Sequence, residues 1–138
     1  MSVLKNTKPD ETADFLRENP QTDRAFSSYM REMLKKKGKK QQDIFNAAGI
    51  SYGYGYKIIS GEKRTRQRDL ILEICIEAGF SLEETQKALR LYEMAELYPK
   101  IPRDAVIIIA LNQGSGTIEN VNKLLTEHGF PALYQCGE

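Results

Sequence analysis

Twelve of the chain's 20 lysines and arginines lie between residues 24 and 68, where only Glu32, Asp43 and Glu62 oppose them. A stretch so unbalanced attracts polyanions by releasing their condensed counterions, and such binding weakens steeply as salt rises. The charge gathers in two places, the run Lys35, Lys36, Lys37, Lys39 and Lys40, and the run Lys63, Arg64, Arg66 and Arg68. Between them lie Ser51, Tyr52, Tyr54, Tyr56 and Lys57, a set of hydroxyls and rings with one cation. Tyrosine is enriched at interfaces, so the same three rings also suit a protein partner. Lys35 to Lys37 also fit the negative end of a helix begun near Arg24, a plain structural use for them. Elsewhere the chain is acidic, with 11 acids and five bases in residues 69–138 and five acids and three bases in residues 1–23. A formal net charge of +1 therefore conceals a marked segregation.

Bond-making chemistry finds little support in the same inventory. One histidine, His128, cannot be built into a Ser/His/Asp arrangement near the C-terminus. Cys75, in the apolar run Leu70 to Ile76, reads as a buried thiol and Cys136 as a free one, and their separation gives no zinc or redox spacing. Gly53 and Gly55 lack the strand-turn-helix setting and the Lys-Ser/Thr of a nucleotide loop. Asp69 and Asp104 each follow an arginine at the start of a helix, where the dipole favours a carboxylate and Arg68 or Arg103 forms a local ion pair. Glu83, Glu84 and Glu119 follow Ser81 and Thr117 and read as first-turn charges. The expectation is a protein that is not an enzyme and uses no metal or cofactor.

These residues need helices to position them. Ile44, Ala47 and Ala48 make one apolar face, Gly49 ends that helix, and Ile50-Ser51 start another on which Tyr54 and Ile58 share a side. Gly49 supplies the positive φ of the stop, and Ser51 caps the second helix. Ile50 and Ile58 then hold it to the core and turn Ser51, Tyr52, Gly53, Tyr56 and Lys57 outward. Upstream, Thr22 or Asp23 caps a helix whose face is Phe26, Tyr29, Met30 and Met33. Downstream, the segment from Arg68 repeats from Arg103: Gly79 matches Gly114 at an offset of 35, and Leu82, Lys87, Leu89 and Leu97-Tyr98 match Ile118, Lys123, Leu125 and Leu133-Tyr134 at an offset of 36. Each copy reads as helix, glycine stop, then a helix begun by Ser81 or Thr117. Val106 to Ile109 also admit a strand, but the matching helix at Leu70 to Ile76 argues for a helix buried on several sides, as core or as half of a dimer face.

On Gln41, Ile44, Gly49-Ile50-Ser51, Tyr54, Lys57-Ile58 and Ser60-Gly61, the stretch resembles the helix-turn-helix of the lambda-repressor/Cro (XRE-type) family, without insertion or deletion. The resemblance implies an all-α, lambda-repressor-like helical bundle over roughly residues 24 to 98, followed by an extra C-terminal helical hairpin. It also implies sequence-specific binding of double-stranded DNA, as in a transcriptional regulator. By position, Ser51, Tyr52, Tyr56 and Lys57 would face base edges, and Gln41, Gln42, Lys63, Arg64 and Arg66 the phosphates. Readers of this type usually work as two-fold dimers, so a homodimer joins the expected partners. Three departures mark the chain. Lys40 stands where the family usually has a capping Ser or Thr. Phe45 stands for a small residue and Gly55 for a branched apolar one, an exchange of volume between facing positions that would keep the packing. Gly53 and Gly55 each weaken the second helix by about 1 kcal/mol relative to alanine. They favour the alternative of a non-enzymatic adaptor that keeps the scaffold and binds protein through its tyrosines.

At 138 residues and 41% hydrophobic, the chain suffices for one domain with an extension. The expected division is an arm with a short helix capped by Thr12 over 1–22, the helix-turn-helix bundle over 23–98, and the second hairpin, packed on its repeat, over 99–138. No apolar run nears the ~20 residues of a membrane span, and the start lacks a signal-peptide pattern, so a cytoplasmic protein with no membrane partner is expected.

Overall fold

A computed structural model of the chain describes residues 20–114 and 116–133. Seven helices and no strand occur among the described residues: α1 (Pro20–Lys37), α2 (Gln41–Ala48), α3 (Tyr52–Ser60), α4 (Arg68–Glu77), α5 (Leu82–Leu91), α6 (Pro102–Asn112) and α7 (Ile118–Glu127). The expected arm helix at Thr12, the thiol of Cys136 and the match of Tyr98 with Tyr134 fall outside those residues. No described helix is long and apolar enough to cross a membrane.

Residues Leu70 to Ile76 are buried on every side, so α4 is the centre around which α2, α5 and α7 pack. A helix apolar all round has no face to give to water. α1 closes the other side, burying Phe26, Met30, Met33 and Leu34 against α3 and α5. One continuous cluster runs from Phe26 to Leu133 and joins both hairpins. Three expectations change here. α1 begins at Pro20, so Thr22 and Asp23 lie within it; a proline suits a first turn because its missing N–H would have had no intrahelical partner. Ala47 is exposed, the buried face of α2 being Ile44, Phe45 and Ala48. Ile109 is 49% exposed, because α7 and α5 cover only the Val106, Ile107, Ala110 and Leu111 side of α6.

The duplicated hairpins repeat their hydrogen bonds as well as their helices. Gln86 brackets the backbone of Leu97, accepting from its N–H at 2.8 Å and donating to its carbonyl at 2.9 Å. Asn122 sits 36 residues on and accepts from the N–H of Leu133 at 2.7 Å. Arg68 donates to the carbonyls of Ala95 and Glu96, and Arg103 to those of Pro131 and Ala132, so each arginine closes its own hairpin. Their ion pairs are not local. Arg68 meets Asp104 at 2.5 Å, and Arg103 meets Asp69 through two bonds of 3.0 and 3.2 Å. Neighbouring residues on a helix point to different faces, so each guanidinium turns from the carboxylate beside it and meets the one at the start of the helix opposite. The two copies are thus cross-braced about an approximate two-fold relation.

Ser81 forms a capping box with Glu84: its hydroxyl accepts from the Glu84 N–H at 3.1 Å and its own N–H donates to the Glu84 carboxylate at 2.8 Å. Burial alone would raise the Glu84 pKa, but hydrogen bonds from Ser81 and Lys37 outweigh it and hold the carboxyl below its usual range. Thr117 caps α7 with the single bond, accepting from the Asn120 N–H at 3.1 Å.

Candidate functional site

α2 and α3 are joined by Gly49, Ile50 and Ser51. Gly49 takes φ 72° and its N–H and that of Ile50 close onto the Phe45 and Asn46 carbonyls, which ends α2 within one residue. Ser51 accepts from the Tyr54 N–H at 3.4 Å and starts α3. Ile50 and Ile58 are buried, and the turn is therefore pinned from inside.

Phe45 and Gly55 meet at the crossing of these helices. A Cβ on Gly55 would lie 2.6–2.7 Å from three carbons of the Phe45 ring, which is itself fully buried and has nowhere to move. At Gly53 an added Cβ meets no described atom within 4 Å. The two glycines therefore answer alanine with opposite signs. Gly53→Ala is expected to raise stability by up to about 1 kcal/mol through helix propensity. Gly55→Ala is expected to lower it by roughly 1–2 kcal/mol, since overpacking at ~1–3 kcal/mol outweighs the same gain. Thermal unfolding followed by circular dichroism measures both, and Phe45→Leu in the Gly55→Ala background should recover part of the loss.

α3 turns Tyr52 and Tyr56 outward, 52% and 43% exposed, with Ser51 and Gly53 also exposed and Lys57 half-buried. The two rings stack at 6.3 Å between centroids with 27° between planes, and Tyr52 rests edge-on against Phe45 at 5.8 Å. Tyr54 is half-buried against the core, so the outward aromatic surface has two rings rather than three.

Beside Tyr52 opens a groove of about 450 Å³ lined by Arg31, Leu34, Lys35, Lys39, Lys40, Gln41, Gln42 and Tyr52. It lies at the start of α2, where Lys40 supplies no side-chain cap and the first-turn amides add their partial positive charge to four cations. Gln41 is half-buried, its Oε1 without a hydrogen-bond partner among the described residues, and Gln42 is exposed. Arg31 was not among the expected site residues. Its i, i+4 spacing with Lys35 on α1 was the available signal, since it puts both on one stripe of the helix. Lys37 belongs elsewhere, paired with Glu84 at 3.0 Å and lying over the Phe80 ring.

The second basic run leaves α3 along a fastened loop. Lys63 N–H donates to the Lys57 carbonyl at 3.1 Å, and Thr65 N–H donates to the hydroxyl of the buried Tyr92 at 3.0 Å. Arg64 lies over the Tyr92 ring at 4.2 Å and donates to the Tyr92 carbonyl at 2.7 Å, so it braces the loop from a half-buried position. Lys63 and Arg66 remain exposed. The structure thus gathers Gln41, Gln42 and Tyr52 with the groove cations, and sets Lys57, Lys63 and Arg66 toward the other end of α3. No group of three His, Cys, Asp or Glu side chains among the described residues is placed to hold a metal ion. Compared with protein-family models, with curated proteins and with solved structures, the chain matches none.

Proposed function

We propose that this chain is a DNA-binding protein of the lambda-repressor/Cro type, in which α2, the Gly49–Ser51 turn and α3 form the helix-turn-helix. More particularly, we read it as a transcriptional regulator that recognises double-stranded DNA through α3. The observation that carries the reading is the outward face of α3, two tyrosines with Lys57 as its one charge, set between two cationic patches, the groove at the start of α2 and the loop after Ser60. A helix fits the ~12 Å major groove, and cations on either side then fall toward the phosphates. In this arrangement Ser51, Tyr52, Tyr56 and Lys57 face base edges, while Gln41, Gln42, Lys63 and Arg66 face phosphates. Arg64 serves by holding the loop to Tyr92.

The test is a fluorescence-anisotropy titration of the full chain with a random duplex at 50 and 200 mM salt. If four phosphates are neutralised, affinity should drop on the order of a hundredfold between those conditions. Lys57→Glu with Lys63→Glu should abolish binding without unfolding the chain, Arg64 being left in place for its structural contacts. The stacked, exposed pair Tyr52 and Tyr56 favours one other reading, a protein adaptor. An adaptor would bind no duplex even at low salt, and its partner contact would survive the two charge reversals.

A further inference from the structure

α3 carries the residues a groove would meet, yet its sequence YGYGYKIIS contains no Arg, Asn, Gln, Asp or Glu. With lysine, present here once as Lys57 in the last turn, those are the side chains that read guanine, adenine or cytosine edges by paired or accepting hydrogen bonds. The exposed surface is instead a stacked pair of tyrosine rings, with Tyr52 resting edge-on against Phe45. Beside it, Gly53 leaves open space where any other residue would hold the helix backbone away. Charge complementarity selects a polyanion as the occupant, because Arg31, Lys35, Lys39 and Lys40 line the groove at Tyr52. The one apolar group that a duplex offers in its major groove is the thymine C5-methyl.

We propose that the Tyr52–Tyr56 pair, brought close by Gly53, recognises thymine methyl groups, so that the chain prefers methyl-bearing pyrimidines in duplex DNA. This rests on the DNA reading above and specifies how its specificity arises. Ser51 adds a hydrogen bond that either base pair satisfies, and Lys57 can donate to guanine, so the methyl contact is isolated by comparing thymine with uracil, which leaves both of those contacts unchanged.

The experiment uses the full chain and five 20-nucleotide probes at one low salt concentration: an alternating A·T duplex, the same duplex with every thymine replaced by uracil, an alternating G·C duplex, its 5-methylcytosine form, and single-stranded oligo-dT. The A·T duplex should bind about fourfold more tightly than the uracil duplex for each methyl contacted, and methylation should improve the G·C duplex. Tyr52→Ala with Tyr56→Ala should erase both differences while leaving the salt dependence intact. Equal binding of thymine and uracil duplexes would overturn the methyl reading and leave duplex binding standing. Tighter binding of oligo-dT than of every duplex would overturn it in favour of stacking on unpaired bases. No binding of any probe would defeat the DNA reading itself, and this inference with it.

Discussion

Glu73→Gln should leave stability unchanged at pH 4 and raise it by several kcal/mol at pH 8. Glu73 lies in the middle of α4, fully buried, with neither carboxyl oxygen hydrogen-bonded among the described residues. Burial, and after it the negative charge of Asp69 one turn earlier, push its pKa up from 4.5 to about 8. The folded chain therefore keeps this proton while the unfolded chain loses it above about pH 4.5. Stability from this group is full below the unfolded pKa, declines by up to ~1.4 kcal/mol per pH unit as pH rises, and levels off once the folded carboxyl also ionises near pH 8. Summed over that window the loss is on the order of 3–5 kcal/mol. Glutamine keeps the shape and cannot ionise, so its unfolding midpoint should stay flat where the parent's falls. Urea unfolding at pH 4, 6 and 8 measures the difference. A parent protein equally stable at pH 5 and pH 8 would show that Glu73 is charged in the fold or reached by water. The repeat supports an apolar tenant as well, since Ile108 holds the matching place in α6.

Asp104→Ala should cost about 3–5 kcal/mol, the expected loss when one partner of a buried ion pair is removed. Asp104 is 1% exposed and serves two donors, the Arg68 guanidinium and the Tyr98 N–H at 3.0 Å. Alanine leaves both without it in the seam between the hairpins. Asp69, whose side chain is 18% exposed, keeps more access to water, and Asp69→Ala should cost less than half as much. A double-mutant cycle of Arg68→Ala and Asp104→Ala should return a coupling of about 1–3 kcal/mol, as for contacting residues in one network. The cycle Arg68→Ala with Asp69→Ala should give almost none, although these two are adjacent in sequence. Coupling in the sequence-adjacent pair and none across the hairpins would refute the cross-bracing.

Much of the site was legible because the signals are local. Gly49 stops α2 and Ser51 starts α3 through bonds spanning three to five residues, and any chain with those types at that spacing makes them. The exchange of volume between Phe45 and Gly55 was readable only through the resemblance, which implies that those positions face each other, and the structure brings them together. Arg64 shows the limit of such reading. Its neighbours Lys63 and Arg66 are exposed, and nothing local distinguishes it from them, yet Tyr92, 28 residues on, takes its guanidinium. Glu73 shows the same limit: a glutamate inside Leu70 to Ile76 faces water if any side of the helix does, and only the closure of α2, α5 and α7 around α4 removes every such side.

By itself, then, the sequence determined the helices of the described residues, the stop at Gly49 and the caps at Ser51, Ser81 and Thr117, the basic segment from Arg24 to Arg68, and the duplication of the hairpin, since each depends on residue type, spacing or periodicity along one stretch of chain. Tertiary structure alone decided that Arg68 and Arg103 trade carboxylates between the repeats, that Arg31 joins the lysines beside Tyr52, that Glu73 loses all contact with water, and that Ile109 keeps it. Each of those outcomes depends on which helix face is covered by a segment distant in sequence, and burial of that kind has no local signal to read.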